Sequence, residues 1–187
     1  MKLYLLRHTE RGHGKEQDIL TLRGIEQSKE IVNYLVTLNI QKVICANTKR
    51  AIKTIKPFLD NFSRDTIYTP LVNEQEMGEL TGKSGEDYKE AIKKSGLNKK
   101  NFRPENGENF HDLIERAKKF LNELKTEKTE NILISTHAGF IRSIIVLLLN
   151  LPEEQLKFDF ASITFIELDK NFKVINYELN KKICNIE

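Results

Sequence analysis

The sequence predicts an α/β fold in which helices flank a mostly parallel sheet with an antiparallel edge. Short apolar runs alternate with longer segments of helical period. Three of those runs end abruptly in polar clusters, as in MKLYLLRHTE. The last two strand-like runs, SITFIEL and FKVINYEL, follow one another with only a turn between them, which makes them a hairpin.

Each element can be justified in order. Lys2 to Leu6 is a short buried strand, and Thr21 is placed to cap a helix whose apolar positions Ile25, Val32, Leu35 and Val36 fall near helical spacing. KVICA is a strand, and NTKRAIKTIKPFLDNF supplies a cap and a helix, with Pro57 expected to kink it. TIYTPL reads as a strand, and Asn73 to Gly85 as a loop with three glycines. Helices are expected around Asp87 to Lys94 and from Glu108 to Lys125, separated by the polar linker SGLNKKNFRPENG. NILIST is a strand running into His137, FIRSIIVLLLN is a buried helix, and the hairpin turns around Asp169 to Asn171.

At 187 residues the chain is long enough to bury a full core and is read as a single domain, 1–187. Thirty Lys and Arg against 27 Asp and Glu leave a net charge of +3, and no long basic block stands alone. That excludes an obvious nucleic-acid partner and leaves small anions as plausible ones. Cys45 and Cys184 form no CxxC pair, so both are expected to be free thiols of a reducing cytoplasm. The greasiest stretch, IIVLLLN, is far short of the roughly 18 apolar residues of a membrane span, so no membrane partner is expected.

In open α/β sheets, ligands gather outside the carboxyl ends of the strands. That rule selects Arg7 and His8 after KLYLL, Asn47 to Arg50 after VICA, and His137 after NILIST. Arginine forks match phosphate oxygens, and histidine serves near neutral pH as nucleophile or as charged donor. Glu74, in LVNEQEMGELTG, adds a carboxylate able to exchange a proton. These parts suit phosphoryl transfer through a phosphohistidine.

The ordered motifs resemble those of the histidine phosphatase superfamily, which includes phosphoglycerate mutases and many small phosphatases. LLRHTE matches the family's Arg-His-Gly-Glu opening, with Thr9 in place of Gly. LTLRGIEQ matches Leu-Thr-x-x-Gly-x-x-Gln through Thr21, Gly24 and Gln27. ANTKRAIKT matches Ser-x-x-x-Arg-Ala-x-x-Thr through Arg50, Ala51 and Thr54, with Ala46 for Ser. NEQEMGELTG resembles the acid-bearing loop, PENGENF resembles Pro-x-Gly-Glu-Ser with Asn109 for Ser, and THAGFIR carries the second histidine, with Ala138 where Gly is frequent.

The resemblance implies a phosphoglycerate mutase-like fold and a metal-independent phosphomonoesterase without cofactor, acting on a small phosphorylated substrate. By it His8 is the nucleophile; Arg7, Arg50 and a protonated His137 hold the phosphoryl oxygens; Glu74 protonates the leaving oxygen. Glu76, Glu79 and Glu10 are rivals for the acid role. Arg11, Thr21 and Ala138 are candidate substrate contacts, with Arg142 and Lys15 beside them. His13 and His111 read as solvated, and the His8–His13 spacing is not completed into a metal site. The chain is compact, with only 85–106 available as a cap, which favours phosphatase over mutase chemistry. A mutase-type transfer and a non-catalytic module binding phosphorylated ligands are the alternatives.

Overall fold

The structure, a computed structural model, describes residues 1–184 apart from the side chain of Lys15. The chain runs β1 (Lys2–Arg7), α1 (Leu22–Thr37), β2 (Lys42–Ala46), α2 (Lys49–Asn61), β3 (Asp65–Thr69), α3 (Gly85–Ser95), α4 (Phe110–Leu124), β4 (Asn131–Thr136), α5 (Ala138–Leu149), β5 (Ser162–Leu168) and β6 (Val174–Lys182). The strands form one sheet in the order β3-β2-β4-β1-β5-β6. β3, β2, β4 and β1 are mutually parallel, and β5 and β6 complete the sheet as an antiparallel edge. Leu3, Leu5 and Leu6 in β1 and Ile132, Leu133 and Ile134 in β4 are all buried, so both faces of these central strands are covered. The pairs α1 with α2 and α4 with α5 supply that cover.

Several elements depart from the sequence expectation, each for a local reason. In α1 the buried face is Gly24, Ser28, Ile31 and Leu35, whereas Ile25 and Val36 are exposed. Gly24 sets this face: a Cβ there would lie 1.9 Å from the Glu10 carbonyl oxygen, so only glycine permits the close approach. α2 continues from Lys49 to Asn61 through Pro57, because Thr54, Ile55 and Phe58 bury on both sides of it. That packing outweighs a proline cost of about 3 kcal/mol. β3 stops at Thr69, since Pro70 has no N–H for the ladder and opens a 3-10 turn instead. α3 and α4 begin at Gly85 and Phe110, each started by a reciprocal cap, Ser84 with Asp87 and Asn109 with Asp112. The β5–β6 turn is fastened by the Asp169 carboxylate, which accepts the N–H groups of Asn171 and Lys173. Cys45 and Cys184 are both free, and no helix among the described residues is long and apolar enough to cross a membrane.

Candidate active site

β1, β2 and β4 are neighbours in register, Leu6 opposite Ser135 and Cys45 opposite Ser135, so their carboxyl ends open onto one place. There Arg7, His8, Arg11, Thr48, Arg50, Glu74, Ala138 and Arg142 line a cleft of about 680 Å³. The rings of His8 and His137 meet with centroids 5.1 Å apart, tilted at 60° to one another.

His8 is 2% exposed. Its Nδ1 lies 2.7 Å from the Thr9 carbonyl oxygen and must donate there, which leaves Nε2 as the bare nitrogen. Burial, opposed by that backbone bond and reinforced by Arg50, Arg7 and Arg11, pushes its pKa down to about 3. The ring is therefore neutral and nucleophilic at ordinary pH. Thr9, where the family has glycine, is accommodated by Thr54, whose hydroxyl accepts the Thr9 N–H at 3.0 Å.

His137 caps the start of α5 and is fully buried. Its Nδ1 accepts the Arg50 Nε–H at 3.3 Å, so its proton sits on Nε2, 3.1 Å from the Thr48 hydroxyl. Burial first, then Arg50, His8, Arg7 and Arg11, hold its pKa well below the ordinary value. Without a phosphoryl group beside it, His137 is thus held toward the neutral form, by burial first and then by the positive charge of the three arginines.

The arginines are anchored separately. Arg7 donates through Nη1 to the Phe158 carbonyl and stacks its guanidinium 3.9 Å from the Phe160 ring centre. Its buried Nε–H has no acceptor among the described residues, a donor left for a ligand anion. Burial lowers its pKa to about 10, still charged at neutral pH. Arg11 donates to the Gly12 carbonyl, and Arg50 pairs with Asp18 at 3.1 Å.

Glu74 is the loop glutamate that the fold brings to α5. Its carboxylate accepts the Gln75 N–H at 3.0 Å and the Gly139 N–H at 3.3 Å. Of its rivals, Glu76 lines the outer cleft and is exposed, Glu79 is exposed and outside it, and Glu10 accepts the Thr21 hydroxyl at 2.7 Å. Thr21 is accordingly not among the cleft residues: its oxygen also caps α1 by accepting the Gly24 N–H, which corrects the substrate contact expected of it. Ala138 and Arg11 do line the cleft, as does Arg142, whose Nε and Nη2 reach the Leu156 carbonyl at 3.4 Å. His13 and His111 are exposed. No group of three or more His, Cys, Asp and Glu among the described residues is placed to hold a metal ion.

Sequence reasoning missed three supports. Asp18 bridges the first loop to α2, Arg116 fastens the loop that carries Glu74, and the 156–160 segment seats Arg7 and Arg142. Only the arginine and acid types could have signalled the first two, and no pattern marks a backbone carbonyl as a seat.

The model of the histidine phosphatase superfamily (branch 1) matches residues 3–179. The chain is 25% identical over 208 residues to the adenosylcobalamin/alpha-ribazole phosphatase of Escherichia coli K12, covering 100% of this chain and 99% of that protein. Its fold is similar to the alpha-ribazole phosphatase of Shigella flexneri, with a TM-score of 0.84 and 25% identity over the whole of both chains. It is also similar to Bacillus stearothermophilus YhfR, with a TM-score of 0.82 and 18% identity over 98% of each chain. With its motifs converging on one cleft and the family match spanning nearly its whole length, this chain belongs to the histidine phosphatase superfamily.

Proposed function

We propose that the chain hydrolyses a small phosphomonoester through a phosphohistidine at His8. The observation that carries this reading is the unprotonated His8 Nε2 in a cleft ringed by Arg7, Arg11 and Arg50. The lone pair of Nε2 forms the N–P bond as the bond from phosphorus to the leaving oxygen breaks, and that oxygen takes its proton from the Glu74 carboxyl. Water then attacks phosphorus, gives its proton to Glu74 and returns the electron pair to Nε2. The arginines stabilise the charge spread over the three equatorial oxygens. The phosphoryl dianion brings negative charge to the ring, so His137 takes up a proton at Nδ1 as substrate binds and the Arg50 Nε–H turns from Nδ1 to a phosphoryl oxygen. Gly85, Tyr88, Lys99 and Asn106 line the outer cleft, which supports 85–106 as the cap that meets the leaving group.

The test is release of phosphate from p-nitrophenyl phosphate and from alpha-ribazole 5'-phosphate, for which two of the similar proteins are named, without added bisphosphate. Acid-labile, base-stable label should appear on the wild-type chain and be absent from His8→Ala. Negligible release together with primer-dependent isomerisation of a phosphorylated acid would establish the mutase alternative instead.

A further inference from the structure

We propose that Asp18 is a positioning residue for this phosphoryl site, setting the Arg50 guanidinium and, through it, the tautomer of His137. Asp18 lies on the loop between β1 and α1, ahead of α2 in sequence. Its Oδ2 accepts the Lys49 N–H at 3.1 Å, and its Oδ1 accepts both the Arg50 N–H at 3.3 Å and the Arg50 Nη1–H at 3.1 Å. One carboxylate thus holds Arg50 at its backbone and at its tip.

The arrangement exists because α2 lacks its own cap. Thr48 stands at the capping position but makes no side-chain cap bond; its hydroxyl faces His137 Nε2 instead. Helix starts leave N–H groups without partners, and a carboxylate there also meets the positive end of the helix dipole. Asp18 fills that role from 31 residues away in sequence, measured to Lys49. With Nη1 engaged by Asp18, the Nε–H edge is directed at His137 Nδ1, which fixes the histidine proton on Nε2.

An acid beside a phosphate-binding arginine weakens anion attraction, so its contribution is geometric rather than one of affinity. Among the three arginines nearest His8, Arg7 and Arg11 are held by backbone carbonyls, and Arg50 is the one in an ion pair among the described residues. It is also the one bonded to a catalytic ring in the free site.

This inference rests on the phosphoryl-site reading, and its test separates the two. Asp18→Ala and Asp18→Asn are assayed on p-nitrophenyl phosphate, and the histidine ring nitrogens of the free protein are observed by ¹⁵N NMR. Asp18→Ala is expected to lower kcat by roughly 10- to 100-fold, the scale of a misplaced catalytic contact, with KM changed less than about threefold. Asp18→Asn keeps the oxygen that takes both Arg50 contacts but turns its NH2 toward the Lys49 N–H, so it should recover in part, keeping at least about threefold more kcat than Asp18→Ala. In the spectra, His137 should be a single Nε2–H tautomer in wild type and Asp18→Asn, and a mixture in Asp18→Ala. Unchanged kcat in Asp18→Ala, equal losses in the two variants, or lost kcat with the tautomer retained each overturns the proposal. Failure of the phosphatase reading shows separately as a wild type without phosphate release, and the tautomer measurement still decides the role of Asp18.

Discussion

Arg116 and Glu108 form a two-pronged ion pair, Nε to Oε1 at 2.9 Å and Nη2 to Oε2 at 2.7 Å, and the same guanidinium donates to the carbonyls of Leu71, Asn73 and Glu74. The pair lies largely buried between α4 and the loop after β3. It fixes the backbone from which the Glu74 side chain reaches α5. Arg116→Lys keeps the charge but loses the planar fork. Its expected cost is about 2–4 kcal/mol in urea unfolding, near the lower end for a broken buried pair. A change below about 0.5 kcal/mol, the size of an ordinary surface substitution, would show that the loop is held by other contacts.

Glu74→Gln tests the acid. Alkyl leaving groups need a proton, whereas acidic phenols do not, so kcat on an alkyl phosphate should fall by roughly 10²- to 10⁴-fold. The rapid first release of nitrophenol from p-nitrophenyl phosphate should persist, followed by slow turnover if the same group activates water. Equal losses in phosphorylation rate for both substrates would remove Glu74 from this role, and a selective loss in Glu76→Gln would transfer it.

Gly139→Ala offers a second route to the same acid. A Cβ at 139 would fall 2.0 Å from Glu74 Oε1, so the carboxylate must move away from its N–H donors. The expected result is an alkyl-phosphate defect resembling that of Glu74→Gln in a chain that still folds, because alanine favours a helix over glycine by about 1 kcal/mol. Wild-type kinetics in this variant would mean that the carboxylate works equally well displaced.

Acid sensitivity follows from the two buried histidines. His8 stays neutral in the folded chain down to about pH 3, whereas an unfolded histidine binds its proton near the ordinary value of 6.5. Between those limits the unfolded chain holds more protons, so stability falls as pH falls, and His137 acts in the same direction. His8 contributes a slope of up to about 1.4 kcal/mol per pH unit there, and none above the window. Urea unfolding across this range should show the slope, and His8→Gln should flatten it. An unaltered slope in that variant would contradict the neutral assignment.

The strand ends and the residues near them were legible because both obey local rules: an apolar run must stop where its side chains meet solvent or a ligand; Arg7, His8 and His137 end or follow such runs directly, and Arg50 lies four residues past one, at the start of α2. The buried face of α1 was not, because Ile25 and Val36 satisfy helical spacing as well as Ile31 and Leu35 do. What decides between them is the approach of Gly24 to a carbonyl on another segment. Thr21 was misread for a related reason: its motif marks the site, but its hydroxyl is consumed by Glu10 and the start of α1. The desolvation of His137 was also hidden, since it depends on neighbours distant in the chain.

The place of β1 in the sheet bears on how the protein is made. Among the described residues β1 pairs with β4 and β5, and Arg7 finds its carbonyl seat 151 residues further on, at Phe158. At a synthesis rate of roughly 5–20 residues per second, that partner leaves the ribosome on the order of ten seconds or more after Arg7 does. Until β4 has also emerged, Leu3, Leu5 and Leu6 have no sheet to enter, and the nascent chain must be kept from premature pairing by whatever shields apolar segments. A chain stalled before Phe158 therefore carries both histidines and all four arginines that line the cleft while Arg7 has nowhere to dock, so enzymatic turnover would report that translation had passed Phe158.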